Sequence, residues 1–214
     1  FILEQQRELE DAVYMYQHVI EIDPNNVNAH YNLGNTYAKL GRLPEAAAAF
    51  QQVIQIVPNS ASAYYNLGFI YSRQERMELA ITAYRQAIEL DPEDASTCYN
   101  LGFLYAKEDK LAAAIELYTQ AIEIEPDFTE AHFNLGNAYT KQENYDQAVT
   151  AYRQELKISP NHTDALTNLG LVYYKQGKLT DAIQVLEQAV KIDDDHKEAK
   201  RYLRHLMQAP ALER

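Results

Sequence analysis

Apolar and small residues recur along the chain at three- and four-residue intervals, in blocks parted by short polar turns, and the blocks return every 34 residues. Each unit can be numbered 1–34 from Val27, Ala61, Ala95, Thr129 and Thr163. Position 7 is then Leu and position 8 Gly in all five units, from Leu33-Gly34 to Leu169-Gly170. Position 11 is Tyr37, Tyr71, Tyr105, Tyr139 and Tyr173, and position 20 is always Ala. Position 24 is Phe50, Tyr84, Tyr118, Tyr152 and Leu186. Positions 4, 7, 8 and 11 share one face of a helix, and positions 20, 24, 27 and 28 share one face of a second. Polar turns such as Leu40-Gly41-Arg42 and Gln176-Gly177-Lys178 lie between them. Pro44 suits the first turn of a helix, where a missing N–H has no bond to lose. A proline at position 32 (Pro58, Pro92, Pro126, Pro160) pushes the preceding residue out of the α region and ends the second helix. Each unit predicts helix A, turn, helix B, turn.

A period of this length marks an array in which each unit covers the apolar face of the next. The chain divides into a partial repeat over 1–26, aligned to positions 9–34, then full repeats over 27–60, 61–94, 95–128, 129–162 and 163–196. A capping helix and tail follow over 197–214, one solenoid domain in all. Ala199, Tyr202, Leu203, Leu206 and Met207 form the apolar stripe of that cap, Lys200, Arg201, Arg204 and His205 its polar face, and Pro210 its stop. A start inside a helix, without Met, reads as a cut within something longer, and the amphipathic cap as a finished end. Glycine inside a helix costs about 1 kcal/mol against alanine. Five at one position imply that helix B approaches closely there.

Leu-Gly-x2-Tyr, then Ala-x3-aromatic, then Pro, at a period of 34, resembles the tetratricopeptide repeat. The resemblance covers nearly the whole chain. It departs at the family's Trp, where position 4 holds His30, Tyr64, Cys98, His132 and Leu166. It implies an all-α fold, an α-solenoid of antiparallel helix pairs wound into a right-handed superhelix. It also implies a concave groove, lined by positions 2, 5, 6, 9, 12 and 13 of helix A, that binds peptides.

Position 6 is Asn32, Asn66, Asn100, Asn134 and Asn168. Asn is a poor mid-helix residue, because its side chain competes for backbone hydrogen bonds. Each carboxamide offers donors and an acceptor, so a ladder of five suits the backbone of an extended chain. The competing explanation is that each bonds only to neighbours or water. Position 5 is Tyr31, Tyr65, Tyr99, Phe133 and Thr167, and position 9 is Asn35, Phe69, Phe103, Asn137 and Leu171. These rings either anchor a partner or pack between adjacent A helices. Position 13 is Lys39, Arg73, Lys107, Lys141 and Lys175, a cationic column that either steers an acidic or phosphorylated segment or is merely solvated.

Composition narrows the partner. Against 19 Lys+Arg stand 31 Asp+Glu, a net charge of −12, which argues against a nucleic-acid surface. No apolar run reaches the roughly 18 residues of a membrane span, the first residues lack the pattern of a secretory signal, and Cys98 has no cysteine to pair with. A cytoplasmic setting fits. No His pair has metal-ligand spacing, and Asp193-Asp194-Asp195 reads as a solvated turn rather than a calcium loop. Cys98 falls in a core slot. Glu155 occupies position 27, elsewhere Val19, Val53, Ala87, Ala121 and Ala189, and its side chain is expected to reach solvent at the repeat junction.

The expected function is a non-catalytic protein-interaction module, without cofactor or metal, that holds an extended or helical segment of a protein partner in its groove. Two alternatives stay open: a self-assembling scaffold, end to end or through its concave face, and the regulatory or substrate-recruiting arm of a larger enzyme. Heat-shock chaperone tails are not expected partners. Asn35 and Asn66 match the carboxylate clamp of such binders, but aromatic residues and Thr167 hold position 5, where that clamp has Lys.

Overall fold

The computed structural model describes residues 2–208. Among these are twelve α-helices and no strand: α1 (Ile2–Ile22), α2 (Val27–Lys39), α3 (Leu43–Ile56), α4 (Ala61–Arg73), α5 (Met77–Leu90), α6 (Ala95–Lys107), α7 (Leu111–Ile124), α8 (Thr129–Lys141), α9 (Tyr145–Ile158), α10 (Thr163–Lys175), α11 (Leu179–Ile192) and α12 (Lys197–Gln208). From α2 to α11 the even helices are helix A and the odd ones helix B. Pro210, read as the stop of the cap, lies outside the described residues.

The turn from helix A to helix B has one geometry throughout. Position 15 is left-handed: Gly41 and Gly177 at φ 74° and 75°, and Glu75, Asp109 and Glu143 at φ 60°, 59° and 59°. The position-16 amide then bonds the position-11 carbonyl at 2.9 Å, as Arg42 does to Tyr37 and Lys178 to Tyr173. This is the Schellman arrangement, which satisfies carbonyls left over at a helix end. A left-handed residue other than glycine costs about 1–2 kcal/mol, so tertiary register imposes the conformation on Glu75, Asp109 and Glu143. Arg42 and Arg76 fold back over the rings of Tyr37 and Tyr71, at 4.5 and 4.9 Å from their centroids. In α1 the same register places Arg7 at position 15, yet the helix runs unbroken from Ile2 to Ile22.

Position 34 starts the next helix A. The Asn26 side chain accepts from the Ala29 amide at 3.0 Å, and His196 Nδ1 accepts from the Ala199 amide at 3.1 Å. These are N-caps.

Helix B packs where position 8 has no side chain. A Cβ on Gly34 would lie 2.9 Å from the Phe50 ring, on Gly68 2.8 Å from Tyr84, on Gly136 2.6 Å from Tyr152, and on Gly170 2.7 Å from Leu186. The close approach expected of the glycines is therefore an approach to the position-24 side chain. Position 10, which the apolar spacing left unassigned, is also buried: Thr36, Ile70, Leu104, Ala138 and Val172. Helices α2, α4, α8 and α10 each meet their own helix B on one side and the preceding helix B on another. Side chains tie these layers together. Gln17 Nε2 donates to the Tyr37 hydroxyl at 2.9 Å, and Gln51 Nε2 to that of Tyr71 at 2.7 Å.

The chain forms two compact units, residues up to Leu104 and residues from Tyr105 on. Each is a run of stacked antiparallel helix pairs.

Candidate binding groove

In unit 1 the helix-A positions opposite the core gather around a cavity of about 430 Å³. Asn32, Asn35, Lys39, Asn66, Phe69 and Arg73 line it, over Thr36, Phe50 and Ile70, with Tyr16 of α1 beside them. Six residues selected from sequence thus share one site. Tyr16 and Phe50 were missed because a wheel drawn for one helix does not show what neighbouring helices bring, and Thr36 and Ile70 because the apolar spacing left position 10 unassigned. Phe69 is 43% exposed and Phe103, also in unit 1, is 38% exposed. Both suit contact with an apolar side chain. Lys39 and Arg73 are exposed, as are Lys107, Lys141 and Lys175 in unit 2.

The position-5 rings do not stand free. Tyr31 packs edge-on against Phe50 at 5.6 Å, Tyr65 tilts against Tyr84 at 5.9 Å, and Phe133 against Tyr152 at 6.1 Å. Each therefore rests on the position-24 ring of its own helix B, and Tyr99 is likewise half-buried. Two of the hydroxyls meet the ladder: Asn66 Nδ2 donates to the Tyr31 oxygen at 2.8 Å, and Asn100 Nδ2 to that of Tyr65 at 3.4 Å. Burial and the nearby Asp94 carboxylate push the Tyr65 phenol above its ordinary value, so it stays protonated. The bond joins position 5 of one repeat to position 6 of the next. Its sequence signal is a constant separation of 35 residues. Asn32 is exposed and the other four ladder residues are half-buried.

Unit 2 differs. Phe133 has no hydroxyl, and Asn168 Nδ2 donates instead to Asn137 Oδ1 at 2.9 Å. The Tyr152 hydroxyl donates to the same oxygen at 2.7 Å, and Asn137 Nδ2 to Asn134 Oδ1 at 3.4 Å. Burial pushes the Tyr152 phenol up to about 12, so it stays protonated and able to donate.

The expectation for Glu155 is overturned. The side chain is 0% exposed rather than reaching solvent, with Oε1 2.6 Å from His162 Nδ1 and Oε2 buried without a partner. Position 27 is buried in the other full repeats too, at Val53, Ala87, Ala121 and Ala189, and His162 from the following turn closes on the Glu155 carboxylate. Burial raises the Glu155 pKa, while His162 and His132 pull it the other way. The His162 ring also packs at a tilt against Phe133, with centroids 4.8 Å apart.

Candidates for other chemistry fall in structural roles. Cys98 is fully buried, and burial pushes its thiol up to about 11, away from a nucleophilic thiolate. His30 and His132 hold the Pro24 and Pro126 carbonyls at 2.9 and 2.8 Å. Among the described residues no three His, Cys, Asp or Glu side chains gather to hold a metal, and no helix is long and apolar enough to cross a membrane.

These features define an all-α protein built from stacked helix-pair repeats. The family models agree. The TPR repeat model matches residues 2–41, 34–75, 104–143 and 136–177, and tetratricopeptide repeat models match 61–94, 163–196 and 83–116. The chain belongs to the tetratricopeptide repeat family, whose fold is a protein-interaction scaffold. Among solved structures it is similar to YrrB, described as a TPR protein with an unusual peptide-binding site. The identity is 24% and the TM-score 0.79, over 88% of this chain and 97% of that one. It is similar to MamA at 30% identity and a TM-score of 0.70, over 73% of this chain and 92% of that one. A MamA from Desulfovibrio magneticus RS-1 shares the fold at 16% identity and a TM-score of 0.74, over 80% and 97%. A sequence search of curated proteins finds no match.

Proposed function

We propose that this chain is a non-catalytic binding module that holds an extended segment of a protein partner along its helix-A groove. The unit-1 cavity supports this reading best. It combines amides able to pair with a peptide backbone, an exposed aromatic ring and two cations in one concavity. Pockets of that kind, mostly preformed with a few polar groups, are where ligands seat. In this reading Asn32 and Asn66 take backbone groups, Phe69 and Phe103 take side chains, and the Lys/Arg column takes an acidic or phosphorylated flank. The test is to change Asn32, Asn66 and Asn100 to Ala together and measure retention of an immobilised peptide array. A folded variant that retains the same peptides as the parent would sink the ladder.

One observation favours self-assembly as a second reading. Helix α1 exposes Tyr14, Met15 and Ile22 at 71%, 64% and 74%, and large apolar side chains left in water on one helix invite association. Light scattering across a concentration range decides it, since a strictly monomeric chain removes this reading.

A further inference from the structure

We propose that the groove works unequally along the chain. Unit 1 makes the primary contact and holds an anionic side chain of the partner segment between Lys39 and Arg73. In unit 2 the Asn137 amide serves that unit's own structure. This rests on the groove reading above and narrows it.

The inequality comes from where two hydroxyls stand. Repeat 27–60 has Tyr31 at position 5 and Phe50 at position 24. Repeat 129–162 has the reverse, Phe133 and Tyr152. With a tyrosine at position 24, the Asn137 carbonyl accepts the Tyr152 hydroxyl at 2.7 Å. With no hydroxyl at position 5, Asn168 loses the partner that Asn66 has in Tyr31 and donates to that same carbonyl at 2.9 Å. Both lone pairs of Asn137 Oδ1 are then occupied, and its amide donates to Asn134. The position-9 counterpart in unit 1 is Asn35. The Phe50 ring beneath it cannot donate, and among the described residues no side chain closes on Asn35. Asn66 gives one N–H to Tyr31 and keeps its second N–H and its carbonyl. Groups already paired inside the protein gain little by exchanging one partner for another, so unit 1 has more to offer an incoming backbone.

Charge decides the ligand's chemistry. The chain carries −12, yet the unit-1 cavity is lined by Lys39 and Arg73 and by no carboxylate. A positive concavity in an acidic protein draws anionic groups and sets the register of a bound segment. An Asp or Glu carboxylate and a phosphorylated side chain share that chemistry. The exposed Phe69 ring beside it accepts an apolar neighbour.

The test uses the full chain and short Gly/Ser/Leu peptides whose central residue is Asp, phosphoserine, Asn or Lys, followed by fluorescence anisotropy. The Asp or phosphoserine peptide should bind about ten-fold tighter than the Asn peptide, and the stronger of the two arms names the anion. Lys39→Glu with Arg73→Glu should abolish that preference. Lys141→Glu with Lys175→Glu in unit 2 should leave affinity within about two-fold. Phe50→Tyr, which supplies Asn35 with the hydroxyl that Tyr152 gives Asn137, should weaken binding. If the unit-2 charge changes lose binding while the unit-1 changes keep it, the groove reading stands and this assignment fails. An absence of acid preference also overturns the assignment alone. If no peptide binds, both fall.

Discussion

The Tyr31 phenol oxygen accepts a hydrogen bond from Asn66 Nδ2 at 2.8 Å, joining groove positions of successive repeats. Tyr31→Phe removes the acceptor and leaves a half-buried N–H unpaired. The expected cost is about 1 kcal/mol, read by urea denaturation. Adding Asn66→Ala should cost less in that background than in the parent, because the shared bond is already gone. Strict additivity of the two changes would contradict the pairing.

Gly68→Ala tests the packing account. Alanine is the better helix former by about 1 kcal/mol, so an open site would gain stability. The added Cβ would sit 2.8 Å from the Tyr84 ring, and overpacking of this kind costs about 1–3 kcal/mol. A lower thermal midpoint is expected. A higher one would mean that helix B yields readily.

Glu155→Ala places at position 27 the residue that Ala87, Ala121 and Ala189 already supply. Burial raises the Glu155 pKa above the ordinary 4.5. A raised carboxyl pKa contributes stability that is present below the unfolded value and lost as pH rises through the folded one. The variant's advantage should therefore be small in acid and grow as pH climbs above that ordinary value. At neutral pH the two proteins should lie within about 1 kcal/mol of each other, because relief of the buried carboxylate is offset by the lost His162 contact and the vacated volume. Denaturant midpoints of parent and variant at several pH values measure it. An advantage that shrinks with rising pH would reverse the sign argued here.

Cys98 is 0% exposed with its thiol pushed up to about 11. A thiol-specific disulfide reagent should leave the native protein unlabelled at neutral pH and titrate one thiol after denaturation. Fast native labelling would show that repeat 95–128 opens readily.

Much of this architecture was legible in the sequence because a repeat states each packing rule five times. Leu at position 7, Gly at position 8 and Ala at position 20 are local requirements of one helix pair, and periodicity exposes them. The left-handed residue at position 15 was legible only at Gly41 and Gly177. At Glu75, Asp109 and Glu143 the side chain gives no sign, because helices already fixed on both sides force the turn. Glu155 was misjudged for a related reason. Spacing showed which face it occupies but not that the way to solvent is closed.

The sequence by itself determined the helix pairs, their order, and the helix-A face that carries the repeated amides, rings and cations. All of these follow from intervals of three, four and 34. Only the tertiary structure decided which groove amides are engaged. Asn35 and Asn137 occupy the same position and are the same residue, yet Asn137 accepts the Tyr152 hydroxyl while position 24 of the Asn35 repeat is Phe50, which has none. Hydrogen-bond satisfaction depends on atoms brought together from different helices, and no periodicity along one helix records that.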